Sequence, residues 1–170
     1  MMKGLKKTIA KKLAETGERV MEGKEHMSFK CYQETCKLLI KDGLPDSVFA
    51  LCFLTLQWNL ISRSETTEII FFEQMKWEND HLKIYIPKHK SDQIGLNKNE
   101  ARHIYSNPKN PSVFPLRALA SYLLVFPSIF VDAKRLFPGQ DQKKRFNTCL
   151  HRVTKTNQDL YSTLHIKVKN

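Results

Sequence analysis

Three groups of side chains in this sequence have the types and spacing to act on a phosphate. The first is Ser62, Arg63, Ser64 and Glu65, which follows directly on the segment from Val48 to Ile61. That segment is apolar nearly all round and so reads as a buried helix, which makes Arg63 a charge delivered from the end of a core element. The second is the polar run Lys88, His89, Lys90, Ser91 and Asp92. The third is a basic amphipathic helix from about Gln142 to Thr156, with Lys143, Lys144, Arg145, Arg152 and Lys155 mostly outward and Phe146, Cys149, Leu150 and Val153 inward. A guanidinium suits a phosphodiester because its planar fork engages two oxygens at once. Taken singly, Arg63 near Glu65 reads as a helix-terminal ion pair, Lys88 and Lys90 as a solvated loop, and His89 as a phosphate contact or nothing rather than a metal ligand.

The elements that must position these groups follow from period and punctuation. Residues 3–25 read as an exposed, charge-laced helix with a thin apolar stripe, weakened by Gly17 and Gly23. Ser28 has the type of an N-cap for a helix running to about Lys41, with Phe29, Tyr32, Cys36, Leu39 and Ile40 on one face and Gly43 to stop it. Pro45 and Asp46 start the apolar helix that leads to Arg63. From Met75 to Ile86 the period becomes two: Leu82, Ile84 and Ile86 alternate with Lys83 and Tyr85 after a turn at Glu78, Asn79 and Asp80, which predicts a β-hairpin. Pro87 ends its second strand, so Lys88 to Lys90 fall in a loop. Pro108, Pro111 and Pro115 mark a connector, the last opening a helix over Leu116 to Val125. Phe71, Phe72 and Trp77 read as core packing rather than a base-stacking platform.

Charge narrows the partners. The chain has 28 Lys and Arg against 17 Asp and Glu, a formal net charge of +11. The middle of the chain is balanced; the surplus lies at the ends, where residues 134–170 carry 9 basic and 2 acidic side chains. Such density binds polyanions through counterion release, which makes nucleic acid the first partner to consider. No apolar run is long enough to span a bilayer, and the basic N-terminus lacks the apolar stretch of a secretory signal. Cys31, Cys36, Cys52 and Cys149 match no zinc spacing and read as reduced core cysteines of an intracellular protein.

The order of these blocks carries a family resemblance. Leu54-Thr-Leu-Gln-Trp-Asn-Leu-Ile-Ser-Arg-Ser-Glu65 resembles the first-arginine motif of tyrosine recombinases, with the spacing shortened to R-S-E. Ile84-Tyr-Ile-Pro-Lys-His-Lys-Ser-Asp-Gln93 resembles the catalytic-lysine hairpin that follows it. His103-Ile-Tyr-Ser-Asn-Pro-Lys-Asn-Pro111, with Pro115-Leu-Arg-Ala-Leu-Ala120, is similar to the connector of Crypton-type recombinases. Arg145-Phe-Asn-Thr-Cys-Leu-His-Arg-Val153 is similar to the helix before the family's H-x-x-R box.

The resemblance implies a fold, a chemistry and a partner. Residues 1–27 would form a basic N-terminal helix or linker, and residues 28–170 part of a recombinase catalytic domain: mixed α/β, mostly helical, with a small antiparallel sheet. Arg63 would clamp the phosphate, and Lys90 or Lys88 would protonate the leaving sugar oxygen, with no metal or other cofactor. Glu65 would brace the arginine or cap the next helix. Lys143, Lys144, Arg145, Arg152 and His89 would contact double-stranded DNA, in the nucleus, with self-association on DNA implied for a full-length enzyme. No histidine here has an arginine three residues later, so the box is missing, no tyrosine can be assigned as nucleophile, and the last residues fall about where the box should begin. The expectation is therefore a DNA-binding fragment inactive by itself. Its rivals are a domesticated, non-catalytic DNA-binding or regulatory module, and a basic RNA-binding protein, against which the motif order stands.

Overall fold

The computed structural model describes residues 27–86 and 101–157, and the helix expected after Ser28 runs there over Phe29–Asp42 (α1). The Ser28 side chain accepts from the Cys31 backbone N–H at 3.2 Å, satisfying one of the unpaired donors of the first turn. Gly43 ends the helix at φ 64°, in the left-handed region where a Cβ is costly, and its N–H returns to the Leu39 carbonyl. Tyr32, Cys36 and Leu39 are buried as the periodicity predicts, whereas Phe29 and Ile40, read on the same face, lie at its rim and are exposed.

Pro45–Asn59 (α2) is the central element. A proline in its first turn loses no helical hydrogen bond. Phe49, Ala50, Leu51, Cys52, Phe53, Leu54 and Leu56 point around the whole circumference, and all are buried. A helix apolar on every side can be stable in water only when surrounded. The neighbours that surround it are α1, Pro115–Val125 (α4) and Gln142–Thr156 (α6). Phe49 and Phe53 meet Phe137 with ring centroids 5.6 and 5.2 Å apart, and Phe53 meets Phe146 at 4.9 Å. The core is thus an aromatic cluster around α2.

After α2 come the short helix Ser64–Glu68 (α3), a 3-10 turn at Phe72–Gln74, and strands Met75–Glu78 (β1), His81–Tyr85 (β2) and Ala101–Tyr105 (β3). The strands form one antiparallel sheet in the order β1-β2-β3. Glu78 opposite His81 closes the expected hairpin, with Asn79 at φ 52°, a conformation its short polar side chain tolerates. Leu82, Ile84 and Ile104 are buried on one face. The other face carries His81, Lys83, Tyr85, His103 and Tyr105, as the registers His81↔Tyr105 and Lys83↔His103 require. A second short helix, Ser128–Asp132 (α5), follows α4.

The chain therefore has the expected mixed α/β fold, mostly helical with a small antiparallel sheet. Three details differ from the sequence reading. β3 lies in the stretch read only as a connector, and α5 was not expected. Trp77 is 63% exposed rather than core, because β1 is the edge strand and no described element packs over its outer end. The helix expected over residues 3–25 lies outside the described residues. So does the segment 87–100, with Lys88, His89 and Lys90.

Candidate nucleic-acid interface

Arg63 sits in the corner between α2 and α3. Leu60 closes α2, Ile61 then takes φ 48°, and Arg63 is the N-cap residue of α3. Its carbonyl accepts from the N–H groups of Thr66 and Thr67, both at 3.0 Å, so its backbone is fixed from one side. Ser62 and Thr67 hydroxyls meet at 2.8 Å, and the Gln57 amide donates to the Ser64 hydroxyl at 3.2 Å. The Arg63 side chain is exposed and makes no hydrogen bond or ion pair among the described residues. These bonds hold the backbone of the corner, and the exposed Arg63 charge lies near enough to Glu65 to favour its ionised form.

The sheet is tied to this corner. Arg102, opposite Ile84 in the sheet, donates through Nη1 to the Leu60 carbonyl at 3.2 Å. Tyr85 and Ala101, the next pair, are the last of β2 and the first of β3. The segment that holds Lys88, His89 and Lys90 joins exactly these two strand ends. These strand ends and Arg63 therefore all lie within a few residues of the Arg102–Leu60 contact, although 25 and 27 positions of sequence separate Arg63 from Lys88 and Lys90.

The basic helix α6 is differently disposed from the expectation. Lys143 pairs with Glu65 through its ammonium and with Glu68 through its backbone N–H, the latter at 3.2 Å. Arg145 binds Asp46 through Nε and Nη2 at 3.0 and 2.6 Å, and its guanidinium lies 4.1 Å from the centre of the Phe49 ring. Arg152 binds both carboxylate oxygens of Asp42 and also donates to the Ser47 hydroxyl at 2.8 Å. The reading of these side chains as mostly outward holds for Lys143, Lys144 and Lys155, which are exposed, and not for Arg145 and Arg152, which are half-buried against carboxylates. The reason is the acidic pair Asp42 and Asp46 flanking the α1–α2 turn, onto which α6 packs.

These pairings set local ionisation. Hydrogen bonding from Arg152 holds the Asp42 carboxyl below its ordinary range, and Lys143 does the same for Glu65. Glu65 thus pairs directly with Lys143 of α6, and Arg63 adds a smaller favourable charge interaction. Burial raises the Cys36 thiol to about 12, and Cys31, Cys36, Cys52 and Cys149 are all free and buried, as read from sequence. Among the described residues no group of three or more potential metal ligands is gathered. No helix among them is long and apolar enough to cross a membrane.

Arg102 and the acidic partners of α6 escaped the sequence reading. Asp42 and Asp46 bracket a helix start, which flagged the turn but not what would dock there. No protein-family model, curated protein or solved structure matches the chain.

Proposed function

We propose that this chain is a DNA-binding portion of a tyrosine recombinase, in which Arg63 and the lysine-bearing segment between β2 and β3 grip one phosphodiester. The observation that supports it is the tether from Arg102 to Leu60: it brings the strand ends that flank a Lys-His-Lys segment close to the corner that carries the exposed Arg63 guanidinium. Cationic groups supplied from two separate elements can contact one phosphate from two sides, which is what anion stabilisation needs. The basic residues outside this corner supply a general field for duplex DNA. These 170 residues supply no H-x-x-R box, so the reading is binding without cleavage.

The test is fluorescence anisotropy of a labelled duplex with the whole chain, across a salt series. Binding should weaken steeply with salt. Arg63→Ala, and separately Lys88→Ala with Lys90→Ala, should each reduce affinity about tenfold, the scale of one charge-assisted hydrogen bond, with unchanged circular dichroism. Affinity indifferent to salt, or to both variants, overturns the proposal.

A further inference from the structure

The outward face of the sheet carries a second cluster that the phosphate reading does not use. His103 Nδ1 and His81 Nε2 lie 2.8 Å apart. His81 Nδ1 faces the Asp80 carboxylate at 3.2 Å. Tyr105 covers the other side of His81, ring centroids 4.9 Å apart, so that His81 is 8% exposed although it stands on the open face. His103 is exposed.

The protonation pattern follows from these contacts. The Asp80 carboxylate accepts from His81 Nδ1–H, which leaves His81 Nε2 to accept from His103 Nδ1–H, a proton that a bound ion would displace. A carboxylate behind an imidazole is the usual support of a metal-ligating histidine, because it fixes the tautomer and raises the basicity of the opposite nitrogen. His103 can offer Nδ1 in the same way by carrying its proton on Nε2, towards solvent. The rings are 4.7 Å apart between centroids and inclined at 44°. That is closer than two rings meeting head-on across the same nitrogen separation, so the two nitrogens meet at an angle rather than in line.

We propose that His81 and His103 form a two-histidine chelate for a divalent transition ion that prefers right-angled nitrogen ligands, Cu2+ or Ni2+, with Asp80 orienting His81. An ion that takes nitrogen ligands at a right angle would need the least movement of the two rings. Two nitrogens each about 2.0 Å from an ion at a right angle stand about 2.8 Å apart, whereas a tetrahedral centre would spread them to about 3.3 Å. The two nitrogens are held by a hydrogen bond at 2.8 Å, so the former could replace the shared proton without spreading them. Solvent completes the remaining positions, which the exposure of His103 allows. Lys83, directly opposite His103 in the sheet, would repel the ion, but its ammonium is paired with Glu78 at 3.0 Å. The four cysteines, each no more than 3% exposed, cannot reach the ion.

The experiment is calorimetric titration of the full chain with NiCl2 under thiol-free reducing conditions. One saturable site per chain is expected. His103→Gln should weaken it at least about tenfold, and Asp80→Asn by about 10- to 100-fold, since loss of a supporting carboxylate has that scale. His151→Ala, a change at an exposed histidine on α6, should bind as the unaltered chain does. Both test residues are exposed, and thermal melts in the absence of metal should be unchanged. Absence of a saturable site, or unaltered affinity in either the His103 or the Asp80 variant, would show that the two imidazoles share only a proton.

Discussion

Both terminal nitrogens of Arg152 face the carboxylate oxygens of Asp42, at 2.8 and 2.9 Å, across 110 positions of sequence. The pair fastens α6 to the end of α1, and Ser47 bridges it by contacting both partners. Because Arg152 depresses the Asp42 ionisation, this contribution to stability is fully present above the unfolded carboxylate value, about 3.9, and is lost as pH falls through the folded value. Glu65 and Glu78 are shifted the same way by Lys143 and Lys83 and add the same sign.

Asp42→Asn should therefore be less stable than the unaltered chain at pH 7, and the difference should close as pH drops below about 4. Urea unfolding at a series of pH values measures this. A gap that stays constant down to pH 2 would mean that the pair's charge does not matter.

Arg145 and Lys144 are adjacent yet should fail differently. Arg145 is engaged by Asp46 and stacked on Phe49, so Arg145→Ala should cost about 1–2 kcal/mol of stability. Lys144 makes no ion pair among the described residues and is exposed. Lys144→Ala should leave stability within about 0.5 kcal/mol and lower the log-log salt slope of DNA binding by about one. Equal effects of both on both readouts would contradict the assignment.

Ile61 stands two residues before Arg63 with φ 48° and is 84% exposed. A β-branched side chain in the left-handed region is strained, and at this position no burial offsets the strain. Ile61→Gly should raise stability by about 1 kcal/mol, read as an upward shift in thermal midpoint. If DNA affinity falls as stability rises, the strain serves to present Arg63; a loss of stability would show that the backbone conformation is not costly.

How far the sequence carried this reading depends on the range of the interactions. The limits of α1 were legible because Ser28 and Gly43 act within one turn, and α2 because a helix apolar all round has one environment open to it. The hairpin declared itself through the alternation at Leu82 and Ile84. β3 did not, because Ala101-Arg-His-Ile-Tyr105 offers one clear inward residue, Ile104, beside a proline-rich stretch that dominates the local pattern. Arg63 was legible as a delivered charge, whereas the commitment of Arg145 and Arg152 was not: their partners lie 99 and 110 positions away, and a helical wheel shows which side is polar, not what that side meets.

These 170 residues should form no covalent bond with DNA. A tyrosine nucleophile must reach the phosphorus, lose its proton, and have the resulting charge on the phosphorane stabilised by several fixed donors. Tyr32 and Tyr122 are each 1% exposed, and burial pushes both hydroxyls well above their ordinary ionisation range. Tyr122 also donates its proton to the Leu136 carbonyl at 3.1 Å. Tyr105 is exposed, but its ring is packed against His81 on the sheet face. Among the described tyrosines Tyr85 is the best placed, at the end of β2 that leads into the Lys-His-Lys segment, with the Lys83 ammonium 5.6 Å from its ring centre. Even there, the second arginine and the box histidine that the proposed recombinase reading would require are not found in the sequence, and loss of one such donor commonly costs about 100- to 1000-fold. A duplex carrying a nick beside the cleavage position traps any covalent intermediate, because the released strand diffuses away. Incubated with the chain and run on a denaturing gel, it should give no protein-linked band. An adduct that maps to Tyr85 would show that Arg63 and the β2–β3 segment suffice for the chemistry and that the missing box is dispensable.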